Sequence, residues 1–327
     1  MIQRRILMAY ALACMASIPW LPNDARAQEY PDRLIRLIVP NPVGSSDDTV
    51  ARQVGPALSA ALGQSVVIDN KPGAGTTLGA TLGARALPDG YTILLGNASG
   101  FGAAPSVYKN LQYDPIKDFT PIGRITTIEY VLAVSTKLPV NTVGELIAYA
   151  RSNPGKLNYA STGIGSGVHL TGARFAQQAN IDMQHIPYNA IGALSAGLNT
   201  GEVSMMFYPY QPLKPMEQRG DIRILATTGQ KRSSFLPRVP TMIESDLRGF
   251  VALSWQGLYG PKGMPRQRVD AVYGALEKAL ADPAIRANML ATATDPSLLP
   301  PAAFAAFTQE EIAGFRELAK AANINPQ

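Results

Sequence analysis

The sequence predicts an α/β fold with a parallel sheet, and three observations point there. Short runs rich in Val, Ile and Leu recur along the chain. They are continuous rather than alternating, and stretches with helical spacing separate them. Strands that are apolar on both sides are buried on both faces, as in a parallel sheet covered by helices. A chain of 327 residues suits two domains. Hydrophobic residues make up 46% and charged residues 16%, so the composition excludes a disordered chain. No Lys/Arg run exceeds two residues despite the net charge of +5, which argues against a nucleic-acid partner.

The elements follow in order. Residues 34–39 form a β-branched strand, followed by a Pro/Gly/Ser loop. Val50, Val54, Leu58 and Leu62 then mark one face of a helix over 48–62. A strand at 65–68, a loop at 70–75, a helix at 77–86 and a strand at 91–95 complete the first series. The second series has strands at 130–134, 158–160, 183–186, 203–207 and 222–226. Helices at 143–151, 168–178, 190–199 and 212–219 separate them. A strand at 255–259 and amphipathic helices at 267–280 and 304–321 close the chain.

The first residues read as a leader rather than as part of the fold. Arg4 and Arg5 precede a mostly apolar stretch over 6–21, and Ala25-Arg26-Ala27 offers small residues around a cleavage point. Residues 1–27 are therefore expected to be a secretory signal peptide, cut before Gln28. The stretch is short for a spanning helix, and Pro19 and Pro22 interrupt it. Cleavage removes three arginines and one aspartate, leaving a charge of +3 from +5, and takes Cys14, the only cysteine. The mature chain is then exported and has neither a disulfide nor a thiolate nucleophile.

In open α/β sheets, ligands bind at the loops beyond the carboxyl ends of the strands. Three such loops are small, polar, rich in glycine and free of Lys and Arg. The first carries Asn41, Val43, Gly44, Ser45, Ser46 and Asp48. The second carries Asn97, Ala98 and Ser99. The third carries Ser161, Thr162, Gly163 and Ser166, with His169 just beyond. Each leads into a predicted helix, whose free N–H groups and partial positive charge can hold a carboxylate without a cationic side chain. The same residues also serve as ordinary helix caps.

Catalytic chemistry finds little support. Only His169 and His185 are present, and no Gly-x-Ser-x-Gly elbow occurs. Two histidines sixteen residues apart and no mature cysteine give no metal site. Nothing calls for a cofactor. His185, inside an apolar strand, is expected to be structural. His169, in a first helical turn, could donate to a ligand or to a backbone carbonyl.

Several motifs then point to one family. Ile38-Val39-Pro40, Asn70-Lys71-Pro72-Gly73-Ala74-Gly75 and Pro88-Asp89-Gly90-Tyr91-Thr92 occur in the first series. Pro154-Gly155-Lys156-Leu157-Asn158-Tyr159-Ala160-Ser161, His185-Ile186-Pro187-Tyr188 and Val239-Pro240-Thr241 follow in the second. In this order the chain resembles the periplasmic substrate-binding receptors of tripartite tricarboxylate transporters, the Bug family. The resemblance implies a two-lobed periplasmic binding protein, two α/β domains with a ligand cleft between them. Residues 28–128 plus 251–327 would form one lobe and 129–250 the other.

It also implies a monomeric receptor, not an enzyme, that captures a small organic acid and hands it to the membrane subunits of a tripartite transporter. A ligand-sensing module docking on a signalling protein is the alternative. Some positions depart from the family pattern. Asn41, Val43 and Ser45 replace an aromatic, a proline and a glycine, whereas Asp48 matches. Gly197 and Ser204 stand where aspartates are usual, Asn189-Ala190 where Lys-Gly is usual, and Tyr208 where Asp or Asn is common. A less acidic pocket would favour an acid without an amine. Trp255, the only tryptophan after cleavage, is expected beside the hinge as a reporter of closure.

Overall fold

The computed structural model describes residues 30–188 and 191–321. The chain up to Asp32 is a separate unit, described only at residues 30–32. Everything from Arg33 onward is one compact unit. The expected leader, with Cys14 and the cleavage point, lies outside the described residues.

Strands β1 (Ile35–Val39), β2 (Val66–Asn70) and β3 (Thr92–Asn97) are parallel, with β1 in the middle. Helix α1 (Ser46–Leu62) joins β1 to β2, and α2 (Thr77–Ala84) joins β2 to β3. Ser45 caps α1 by accepting from Asp48 N, and Gly63 ends it in the left-handed conformation. A π-helical turn, Ala98–Ala103, and the short helix α3 (Ala104–Val107) follow β3. The chain then enters β4 (Phe119–Ser135), which is 17 residues long and belongs to both strand series.

The second series holds α4 (Val143–Ser152), β5 (Asn158–Ser161), α5 (Gly167–Ala179), β6 (Gln184–Pro187), α6 (Ile191–Thr200), β7 (Met205–Pro209), α7 (Tyr210–Gln218) and β8 (Ile222–Thr227). Strand β5 runs parallel to both β6 and β7. Strand β9 (Leu253–Pro261) then returns, followed by α8 (Arg266–Ala281), α9 (Pro283–Ala291), β10 (Asp295–Leu299) and α10 (Pro301–Ala321). The strand order is β2-β1-β3-β9-β4-β7-β5-β6.

The sheet is mixed, not wholly parallel as the apolar runs suggest. β4 lies antiparallel to β9 over its first part, Phe119 to Glu129, and antiparallel to β7 and β8 from Tyr130 onward. β9 is also antiparallel to β3. These strands are covered on both faces, so they carry the same continuous apolar signature as parallel ones. Sequence reading finds only residues 130–134 of β4 because Pro121 and Gly123 look like breakers. In the fold they sit at register shifts, where a bulge tolerates them.

Two clusters of buried residues meet along β4. One gathers Phe101, Phe119, Trp255, Tyr259 and Phe304; the other gathers Tyr130, Leu132, Phe175, Phe207 and Phe250. Paired glycines let the first cluster close over the sheet. Gly96 stands opposite Gly257 in register. A Cβ at Gly257 would come within 2.2 Å of Phe304 Cζ, and one at Gly96 within 2.5 Å of Tyr259 Cε2. Among the described residues, no helix is long and apolar enough to cross a membrane.

Candidate functional site

The carboxyl ends of β1, β2, β3, β5 and β7 open onto one cavity of about 370 Å³. That volume lies in the range of small-molecule sites. Loop 40–47 supplies Asn41, Ser45, Ser46 and Asp47, and the turn after β3 supplies Asn97 and Ser99. Loop 162–166 supplies Thr162 and Ser166. Tyr130, Tyr208 and Ser254 line it from β4, β7 and β9, and Val168 and Ile191 add apolar wall. Asp47 is the only acidic side chain among the described lining residues, and Lys, Arg and His are absent from them.

Of the residues expected from the sequence, Asn41, Ser45, Ser46, Asn97, Ser99, Thr162, Ser166 and Tyr208 line this cavity. The others lie behind it or outside it. Val43 is 70% exposed, and Ala98 is fully buried. Asp48 turns away from the cavity. It binds Arg52 Nε at 2.9 Å, accepts from Gly44 N, and takes Asn70 Nδ2 at 3.1 Å. Burial alone would push its carboxyl up, but the Arg52 guanidinium and the bonds from Gly44 and Asn70 hold it below the usual carboxylate range. Gly44 therefore acts through its N–H to Asp48. The Gly163 carbonyl accepts from both Ser161 and Ser166.

Ser161 and His169 belong to a buried cluster behind loop 162–166. Ser161 Oγ lies 2.7 Å from His185 Nε2 and donates to Gly163 O; a hydroxyl used that way accepts from the imidazole. His169 Nδ1 accepts from Gly165 N at 2.9 Å, so it donates neither to a carbonyl nor to the cavity through that atom. The two imidazoles stack with centroids 3.8 Å apart. Burial lowers the pKa of His169 to about 4. Burial and then the neighbouring His169 lower that of His185 to about 3. Burial favours the neutral form of both rings. The fully buried Ser161 hydroxyl donates to Gly163 O rather than to His185, which is not the arrangement of a nucleophile and its base.

Ser166 caps α5: it accepts from His169 N at 3.3 Å and donates to Gly163 O at 2.9 Å. Gly167 N, in the first turn of α5, donates to Ser99 Oγ at 3.2 Å and ties two lining loops together. Losing a serine cap costs about 1 kcal/mol. Ser166→Ala is therefore expected to lower unfolding free energy by about that amount in urea titration, with an unchanged m-value.

Sequence reading passes over Asp47 in favour of its neighbour Asp48. In the fold Asp47 is 3% exposed. Its Oδ2 accepts from Asn41 Nδ2 at 2.6 Å and Asn97 Nδ2 at 2.5 Å, and its Oδ1 from Gln256 Nε2 at 2.9 Å. Burial raises its pKa, and the amides of Asn97, Gln256 and Asn41 oppose that. The turn at residues 73–76 is the other omission. Ala74, Gly75 and Thr76 have φ of 46°, 60° and 82°, a left-handed path that is strained for a β-branched residue. Helical signal at 77 and glycines at 73 and 75 mark a turn there but not its place on the cavity. Gly197 and Ser204, taken as pocket positions, are not among the lining residues. Ser204 pairs with Asn158, and Gly197 packs by Tyr188 and Val203. Asn189 and Ala190 lie outside the described residues. No group of three or more His, Cys, Asp or Glu side chains that could hold a metal occurs among the described residues.

A family model described as "Tripartite tricarboxylate transporter family receptor" matches residues 50–324. A protein of Pseudomonas sp. strain P51, the UPF0065 protein in the tcbD-tcbE intergenic region, is 35% identical over 282 residues. The match covers 86% of this chain and 83% of that one. Among solved structures, periplasmic binding protein BugD superposes with a TM-score of 0.84 at 34% identity, covering 91% of this chain and 100% of BugD. R. palustris Rpa4515 with adipate superposes with a TM-score of 0.87 at 31% identity, with coverage of 91% and 100%.

Proposed function

The chain belongs to the tripartite tricarboxylate transporter receptor family, the Bug family of periplasmic solute-binding proteins, and we propose that it captures a small carboxylate-containing metabolite and delivers it to the membrane subunits of a tripartite transporter. The observation that carries this reading is the cavity itself: hydroxyls, side-chain amides and the start of α5 converge there without a cationic side chain. Such donors bind a carboxylate through directed hydrogen bonds and a helix terminus. Adipate on Rpa4515 is an acid of the same class.

In this reading Asn41, Ser45, Ser46, Asn97, Ser99, Thr162, Ser166 and Tyr208 touch the ligand. Val43 forms the rim, while Gly44, Asp48, Ala98, Ser161, Gly163 and His169 hold the lining loops in position. Residues 28–128 with 251–327 act as one lobe and 129–250 as the other, bending where β4 and β9 cross between them. The leader 1–27 is removed on export, and the receptor works as a monomer without a cofactor.

A thermal-shift screen of small organic acids against the mature protein tests the proposal. A cognate acid at one hundred times its Kd adds about 2.7 kcal/mol of stability and a clear rise in Tm. A panel of monoacids, diacids and amino acids in which none raises Tm would contradict a carboxylate receptor.

A further inference from the structure

We propose that the cavity takes up its acid together with one proton, accepted by Asp47, so that a bound carboxylate does not face a second negative charge. This rests on the receptor reading and says how that same site responds to pH.

Asp47 is the only acidic side chain among the described lining residues, and no Lys, Arg or His accompanies it there. The groups that face it bring no balancing cation. Asn41 from loop 40–47, Asn97 from the end of β3 and Gln256 from β9 present neutral amides. Tyr130 from β4 and Tyr208 from β7 present phenols that burial keeps protonated. Asp48, the neighbour on α1, is itself negative and is held so by Arg52. Burial already raises the Asp47 pKa, against the three amides that favour its charge.

The geometry gives the proton a place. Oδ2 accepts from Asn41 and Asn97, whereas Oδ1 accepts from Gln256 Nε2. Gln256 is fully buried, and its Oε1 has no hydrogen-bond partner. A half-turn of that amide exchanges Nε2 for Oε1, so the side chain that donates to a carboxylate can accept from a carboxylic acid. Oδ1 is thus the atom that takes the proton from solvent, and Oδ2 keeps both its donors.

A ligand carboxylate supplies the drive. The first turn of α5 contains no acid, so its N–H groups keep their partial positive charge and hold that carboxylate ionised. Asp47 and Asp48 offset the corresponding charge at α1. The ligand therefore adds a negative charge to a cavity with no lining cation, and two like charges in such a site favour the neutral form of one. With the ligand ionised by α5, the proton goes to Asp47. Between the Asp47 pKa of the free protein and the higher one of the complex, binding takes up a proton and affinity falls as pH rises, by about tenfold per pH unit at full uptake. Below that window Asp47 is already neutral and affinity levels off.

Calorimetric titrations of the mature protein with hexanoate, adipate and malate, from about pH 5 to pH 8 in buffers of different ionisation enthalpy, count the protons. Uptake approaching one proton per bound acid is expected, with affinity falling by up to about tenfold per pH unit where uptake is greatest. In Asp47→Asn the uptake should vanish and the affinity become flat with pH. The result on the unaltered protein stands even if that variant fails to fold, and NMR of isotope-labelled aspartate carboxyls then locates the proton. An acid that binds with no proton uptake across the range overturns the inference and leaves the receptor reading intact. Uptake undiminished in Asp47→Asn overturns it too, by placing the proton elsewhere. Saturation by none of the three acids overturns both.

Discussion

Phe101→Ala is expected to cost the protein about 3–5 kcal/mol, the range for emptying an aromatic site in a packed core. Phe101 is 1% exposed and lies at the centre of the first cluster. Its ring stacks on Tyr259 at 4.1 Å, and it packs on Phe119 at 4.8 Å and on the edge of Trp255 at 6.5 Å. Gly96 and Gly257 leave no spare side chain to collapse into the space. The loss reaches the site as well. Phe101 sits in the Ala98–Ala103 turn, whose first residues follow Asn97 and include Ser99. Asn97 caps that turn through Gly100 N and donates to Asp47. Urea titration should show the lower stability, and calorimetry a weaker affinity of the surviving folded protein. Leu87→Ala, at a position 73% exposed, should stay within about 0.5 kcal/mol of the parent.

Acidification should weaken the protein through the stacked histidines. Their folded pKa values of about 4 and 3 lie below the 6.5 of a free imidazole. A depressed histidine pKa means that the unfolded chain binds the proton first, so stability rises with pH. The contribution is complete above pH 6.5 and lost progressively as pH falls towards 4 and then 3. With two such groups the slope approaches about 2.7 kcal/mol per pH unit. Residual solvent around His185 reduces that, and a total loss of about 3 kcal/mol is expected. Asp47, Glu129 and Glu311 have raised pKa values, chiefly through burial, and act in the opposite sense. The histidine part is therefore read by difference. A double variant, His169→Asn with His185→Gln, should show a flatter stability profile between pH 6.5 and 4 than the parent. Parallel profiles would mean that the imidazoles are not held neutral by burial.

Much of this fold is legible from local pattern. The strands of both series and the helices between them follow from apolar runs and spacing of three to four residues, since burial on both faces leaves that mark. What escapes is set by long-range pairing. The first part of β4 carries Arg124, Thr126, Thr127 and Glu129 and is held by β9 and β10, which are far away in sequence. β10 itself is short and partly exposed. Site loops are legible because glycine, serine and asparagine after a strand serve one end of the sheet. Which of two adjacent aspartates faces the cavity is not, because one residue of helix rotation decides it. Asp47 turns towards Asn97 and Gln256, and Asp48 towards Arg52. Trp255 shows the same limit. Its place in a strand is as expected, but it is 1% exposed, donates to Glu311 Oε2 at 2.9 Å, and packs on Phe304 and Phe307. It belongs to the core, so solution scattering is the better test of whether the proposed lobes close.

In the proposed receptor one cavity, framed by loops 40–47 and 162–166, holds a small acid through neutral donors. A crystal structure of the mature protein with the tightest acid from the thermal-shift screen tests it most directly. One ligand per chain is expected, its carboxylate within hydrogen-bond distance of Thr162, Ser166 or the first N–H groups of α5. Ligand density elsewhere, for example in the second cavity, lined by residues of the segment 105–118 with Ile312 and Arg316, or a carboxylate held by a lysine or arginine, would contradict it.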